Sequence, residues 1–533
     1  MTKNFRVMNL SRTSYKHGTN LMDGATKIAG ATIFVGLCLL FWPFVADDAY
    51  IVGRYAQNAA AGNGLVYNIG EQVSALTSPL HALLETGLAL LGLDPVTSYR
   101  VIAPILVLLA WLTAIRATEL RGPALAVFTS VSLLSPFVAL WTVGGLETAM
   151  LTCLSTLFIS QIALIVRMGA AKGRDFVRLG TLAALMFLTR YDSVLVTGPI
   201  LLAILVEEYR RPSLWIGVAI FFAMVSGWLI FSFLYYGDIF PTSFYVKLAV
   251  GGRGSLDSIA TLLNFAFLSG LLFMVFLARP RPFEALAPLS KTILRGAVVS
   301  LAMFLIYASV ASGQHMMFGY RLFVPYLMGS GLVLSLALSR PSLMLVAVVA
   351  GYQAAMILVV NFLGINPAPL TNLPLLREAY VEYEFVTPAT YGQFMEMLRS
   401  DAEDIAEHWR QTGFEGKPHI YLRTGGTGFW LPDFYVYESL VSYRHGCVEP
   451  VTRMIGASHY VQQLGISVTG KMAENLGRAR PDVGNEPLLF ATTIDWMGPK
   501  VTGYLFGTAP TPLDFGSRVN SGCVDLSPPT SGG

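Results

Sequence analysis

The sequence predicts a polytopic α-helical membrane protein with a C-terminal α/β or β-rich domain outside the membrane. Three observations predict it. Hydrophobic residues make up 54% of the 533 residues and charged ones only 13%, where soluble domains carry roughly 25% charged residues; mean hydropathy is +0.57. The apolar residues arrive in runs of about twenty, long enough to cross about 30 Å of hydrocarbon as helix. These runs stop near Phe362, and the composition beyond is ordinary.

The first run begins near Ile28, after Lys3, Arg6, Arg12, Lys16 and Lys27. It lacks a small-x-small cleavage site, so residues 28–46 read as a retained start-transfer anchor and 1–27 as a basic cytoplasmic N-terminus. Further apolar segments near 100–116, 122–140, 147–166, 178–190, 193–207, 213–235, 258–278, 296–312, 321–338 and 343–362 bring the expected spans to eleven. With the N-terminus inside, four basic loops fall in the cytoplasm: Arg116 with Arg121, Arg167 to Arg178, Arg210 with Arg211, and Arg279 to Arg295. The positive-inside rule is then satisfied throughout. Segment 79–93 is short and carries Glu85. Counting it as a span would reverse those loops, so it reads as a juxtamembrane helix.

The transmembrane domain therefore covers 28–363, with a long first external loop at 47–99. An external soluble domain follows at 364–526, then a disordered tail at 527–533. Within that domain, Pro388 to Thr412 reads as helix, and HIYLRTGG and PLLFATTIDW read as strands bounded by Gly and Pro.

A net charge of +3 without Lys/Arg clusters interleaved with aromatics excludes a nucleic-acid partner. GxSxG, GxxxxGK followed by Ser or Thr, and CxxC are absent, as are the internal repeats of secondary transporters. Cys38 and Cys153 lie in apolar runs and read as small buried residues. Cys447 and Cys523 lie in the tail, where a disulfide between them is open if the tail is extracytoplasmic; sequence gives no distance.

Asp47 and Asp48 end the first span and open the amphipathic segment DDAYIVGRYAQNAAAGNG. Helix capping explains one acid better than two. A carboxylate beside a membrane-facing cavity can remove a proton from a sugar hydroxyl, or hold a divalent cation (Mg2+, Mn2+ or Ca2+) on a phosphate. Four more polar clusters interrupt the apolar pattern, each at an external helix end: Gly144-Gly145-Leu146-Glu147, Arg190-Tyr191-Asp192, Tyr236-Gly237-Asp238 with Lys247, and Gln314-His315 with Tyr320-Arg321. Singly, each is accounted for by snorkelling to the interface. Together on one side they read as a shared polar site. Arg54, Arg190, Lys247 and Arg321 are the cations for a lipid-linked phosphate, and Glu147, Asp192, Asp238, His315 and Tyr320 are candidates for sugar or acceptor contacts.

The string DDAYIVGRYAQNAAAGNGLVYNIGEQVSALTSPLHALL resembles the first external loop of GT-C fold glycosyltransferases. It is most similar to the mycobacterial terminal β-(1→2)-arabinofuranosyltransferase and its proteobacterial relatives. The resemblance continues in order through WTVGGLETAM, LTRYDSVL, YYGDIFPTSFYVKL and FGYRLFVPYL, across residues 45–330. It implies a bacterial inner-membrane enzyme that moves a sugar, such as the pentose arabinofuranose, from a polyprenyl-phosphate donor to an envelope glycan or glycolipid. It further implies a periplasmic active site, Asp47 or Asp48 as base, inversion at the sugar carbon, and a periplasmic C-terminal domain that helps hold the acceptor. The chain departs from the pattern at Tyr191, where relatives often carry Pro, and around Gln314, near which they carry an acid. Beyond residue 370 it matches loosely, so the acceptor does not carry over. Two other classes stand against the enzyme: a lipid-linked sugar transporter, expected to have mid-helix charges and repeated halves, and an inactive relative serving envelope or flagellar assembly.

Overall fold

The computed structural model describes residues 3–242, 244, 255–277, 286–311, 319–338, 341–365, 387–412, 419–421, 425–437, 488–495 and 500–506. Lys247, Gln314, His315, Cys447, Cys523 and the 527–533 tail lie outside these.

The apolar runs fold as helices, as their length and hydropathy require. Among the described residues, six are long and apolar enough to cross a membrane: Leu21–Leu40, Pro95–Thr118, Thr148–Met168, Pro212–Tyr236, Pro288–Ala308 and Leu343–Phe362. A seventh span results if Gly122–Leu133 and Pro136–Val143, bent by 46°, are counted as one. Pro136 starts the second piece, where its missing N–H and its ring prevent a straight continuation. The chain is a polytopic helical membrane protein. The other predicted spans are helical but shorter: Gly173–Thr189, Val194–Glu208, Ser255–Leu268 followed by Leu271–Leu277, and Leu327–Ala337. Gly270, at φ +79°, separates the two middle pieces.

The first helix, α1 (Lys3–Leu40), starts well before the expected residue 28 and ends before 46. Its basic segment has no proline to stop it. In the first external loop, α2 (Asp47–Ala60) and α3 (Pro79–Leu90) form. The twelve residues of α3 rise only about 18 Å, too little to span the hydrocarbon.

The chain divides into two compact units. One comprises Met1–Phe44, Arg100–Val225 and Gly252–Ala389. Its helices approach closely through small residues: a Cβ on Gly180 would meet the Gly217 carbonyl oxygen at 2.1 Å, and one on Gly217 the Phe176 carbonyl at 2.3 Å. Backbone-to-backbone packing of this kind draws helices together where lipid gives no hydrophobic drive. Large apolar side chains such as Ile216, Phe222, Met344, Val348 and Leu358 face outward, a surface that fits hydrocarbon and not water.

The other unit comprises Val45–Tyr99, Ser226–Gly251 and Thr390–Gly533. It contains α2, α3 and most of the tail helix Pro388–Thr412, which matches the predicted bounds. The apolar side of that helix buries Tyr391, Phe394, Met395 and Leu398. A four-stranded sheet of β1 (His419–Tyr421), β2 (Tyr435–Tyr437), β3 (Leu488–Asp495) and β4 (Lys500–Phe506) has the order β2-β1-β4-β3. Its β1/β2 pair is parallel, and the β1/β4 and β3/β4 pairs are antiparallel.

Candidate functional site

The site residues fall into one group in each unit. In the unit formed by the first loop and the tail, Asp47 and Asp48 occupy the first turn of α2, whose N-cap is Ala46. Alanine offers no side chain to the exposed backbone donors of a helix start. Tyr391 of the tail helix does so instead. Its hydroxyl accepts from the Asp47 N–H at 3.4 Å and donates to Asp47 Oδ1 at 3.1 Å. Asp48 is exposed and Asp47 half-buried. Burial, and then the adjacent Asp48 carboxylate, push Asp47 up to about 6, against the opposing hydrogen bonds from Tyr391 and the backbone. Burial also holds the Tyr391 phenol well above its usual value, so it remains a proton donor.

Arg54, expected to meet a donor phosphate, is used differently. It is 2% exposed. Its Nε donates to the Tyr67 carbonyl at 2.8 Å, Nη1 to the carbonyls of Gly428 and Leu431, and Nη2 to the Phe434 carbonyl at 2.7 Å and to Asn68 Oδ1 at 3.4 Å. A guanidinium has five N–H donors in all, and five acceptors take them. The structure thus corrects the expected role: Arg54 braces the 428–434 segment and has no donor left for phosphate. Asn68 extends the brace, its Nδ2 donating to the Val436 carbonyl at 2.9 Å and its Oδ1 accepting from the Val436 N–H at 3.0 Å. Asp238 is half-buried, and its carbonyl accepts from Ser232 Oγ at 2.8 Å.

In the helical unit, four predicted residues come together. Arg190 donates from Nε and Nη2 to the two carboxylate oxygens of Asp192 at 3.0 and 2.6 Å, and from Nη1 to Glu147 Oε1 at 2.9 Å. Arg321 Nη2 donates to both oxygens of Glu147 at 2.9 and 3.2 Å. The Glu147 side chain is 1% exposed, against 14% for Arg190 and 18% for Arg321. Two cations and two carboxylates leave the group neutral, and charge-assisted bonds from three nitrogens hold the Arg190 guanidinium plane in a fixed orientation.

Backbone geometry sets Arg321 in place. Gly319 and Tyr320, immediately before it, both have positive φ, +56° and +58°. A Cβ at Gly319 would meet Trp141 Nε1 at 2.8 Å, and that nitrogen donates to the Gly319 carbonyl at 2.7 Å. A non-glycine residue in this region costs roughly 1–2 kcal/mol, and such strain gathers at functional sites. Tyr320 itself has no exposed surface, its ring packed edge-on against Phe137 at 5.3 Å. A buried ring of this kind corrects the expectation that Tyr320 contacts sugar.

Four residues were given no site role from sequence. Tyr391 lies 344 positions from Asp47, beyond any local pattern. Arg100 gathers the carbonyls of Trp42, Phe44 and Val143, a structural task without a motif. His81 and Glu85, both fully buried, face each other at 3.2 Å along α3; their i, i+4 spacing was readable and their burial was not. Among the described residues no three His, Cys, Asp or Glu side chains are placed to hold a metal ion. Compared with protein-family models, curated proteins and solved structures, the chain finds no match.

Proposed function

We propose that the protein is an inverting membrane glycosyltransferase that moves a sugar from a polyprenyl-phosphate carrier to an envelope glycan or glycolipid. The observation that carries this reading is the state of Asp47, a half-buried carboxylate at a helix start, held by Tyr391 and raised to about 6. A general base works best with a pKa near the working pH, and contributes roughly 10²–10⁴ in rate. Asp47 takes the proton of the acceptor hydroxyl as that oxygen attacks the anomeric carbon. The bond from that carbon to the phosphate oxygen breaks, and the carrier phosphate leaves with the electron pair. Direct displacement inverts the sugar carbon.

In this reading Asp48 orients its neighbour and the acceptor, and Arg190 and Arg321 carry the affinity for the donor phosphate. A divalent cation on Asp47 and Asp48 would take its other oxygen ligands from phosphate and water. The finer topology belongs to the same proposal: eleven membrane crossings with the shorter helices counted, a cytoplasmic N-terminus, and a periplasmic C-terminal domain at a bacterial inner membrane. The basic loops support that orientation.

Analysis of the envelope of a deletion strain tests the function. Loss of one terminal sugar from an envelope glycan, with accumulation of the unused polyprenyl-phosphate sugar, is expected. An envelope and carrier pool identical to the parent's would overturn it.

A further inference from the structure

We infer that Tyr391, on the tail helix, is a positioning residue for Asp47: it fixes which way the carboxylate points, so the tail takes part in the chemistry and not only in holding an acceptor. This rests on Asp47 acting as the base. The hydroxyl makes two bonds to one residue, accepting from the Asp47 N–H and donating to Asp47 Oδ1. Two bonds from a single atom fix both the start of α2 and the rotation of its first side chain. The hydroxyl is itself immobilised. Tyr391 is 7% exposed, and its ring packs edge-on to Phe394, one turn further along the helix, at 5.9 Å and 73°. Phe394, Met395 and Leu398 are buried around it.

The chemistry favours orientation over simple capping. A cap needs only an acceptor, and the Asp47 N–H bond alone would supply it. The second bond goes to the carboxylate and occupies Oδ1 with a donor. Asp48 on α2 is the other charged group that acts on both Asp47 and Tyr391. It repels the Asp47 carboxylate, and Tyr391 holds that carboxylate in place against the repulsion.

The test needs no knowledge of the sugar or acceptor. Infrared difference spectra of the purified full-length protein in lipid nanodiscs, titrated with acid, contain a carboxyl C=O band that Asp47→Asn removes. In Tyr391→Phe that band moves to higher frequency, and its midpoint rises by about one pH unit as a stabilising donor to the charged form is lost. The terminal sugar restored to a deletion strain falls roughly tenfold at equal protein level, on the scale of a misplaced base. A Tyr391→Phe protein whose band, midpoint and product equal the parent's overturns the inference. If Tyr391→Phe does not reach the membrane, 3-fluorotyrosine at 391 keeps the shape and strengthens the donor. The midpoint should then fall, and an unmoved midpoint overturns the inference. Full activity of Asp47→Asn would instead remove the reading beneath it, so the two failures are distinct.

Discussion

Arg321 reaches Glu147 through a single nitrogen, Nη2, which lies 2.9 Å from one carboxylate oxygen and 3.2 Å from the other. Arg190 holds the same carboxylate from Nη1 at 2.9 Å. One nearly inaccessible acid therefore bridges two cations. Glu147→Ala should take that shared carboxylate from both, with Arg190 keeping Asp192, and cost roughly 3–5 kcal/mol, as breaking a buried pair does. The thermal midpoint in detergent should fall by many degrees, and an unchanged midpoint would contradict the clamp.

Arg54 gives a second prediction because its donors all meet protein acceptors. Lysine has three donors on a point charge and cannot copy the planar fork. Arg54→Lys should therefore destabilise the unit by about 2–4 kcal/mol through orphaned carbonyls and speed limited proteolysis between residues 425 and 437. A phosphate ligand would behave otherwise, with Arg54→Lys folding normally and losing only donor affinity.

Asp47 predicts a pH dependence whose sign is unusual for an acid. Its folded-state value, about 6, lies above the ordinary 3.8. The folded protein therefore holds this proton more tightly than the unfolded chain does. The resulting stability is fully present below about pH 4 and is lost as pH rises through about 6. Asp47→Asn should raise stability at pH 7.5 by roughly 1–2 kcal/mol, allowing for solvent screening, and leave it unchanged near pH 4. Thermal midpoints of both proteins from pH 4 to about 8 measure this. A variant less stable than the parent at pH 7.5 would contradict it.

The His81–Glu85 pair separates pairing from burial. Both side chains are fully buried, with the His81 ring 4.2 Å from that of Tyr99. Burial raises Glu85, and His81 opposes the rise. His81→Leu removes that opposition, so Glu85 must stay protonated to remain inside. The variant should lose about 3 kcal/mol, and lose more at pH 8 than at pH 5. In His81→Leu/Glu85→Leu, whose pair is apolar, much of the stability should return and the difference between the two pH values should vanish. Chemical unfolding at the two pH values decides it.

Much of the helical framework was legible because a run of apolar residues has few ways to satisfy its backbone in lipid. The segments expected at 178–190 and 193–207 form helices at Gly173–Thr189 and Val194–Glu208, of 17 and 15 residues, shorter than the six long apolar helices. The Glu147, Arg190, Asp192 and Arg321 group was legible as charges interrupting apolar runs. Arg54 carried the same signal and does structural work, since sequence shows a charge but not the carbonyls folded around it. Tyr391 gave no signal, because its partner lies in a different part of the chain.

The most direct test of the proposed activity is the envelope of a deletion strain expressing Asp47→Asn, with Asp48→Asn alongside and both proteins confirmed folded in the membrane. The terminal sugar missing from the deletion strain should remain missing with Asp47→Asn and be restored by the unaltered chain. Full restoration by both Asn variants would contradict the assignment of a catalytic base at the start of α2.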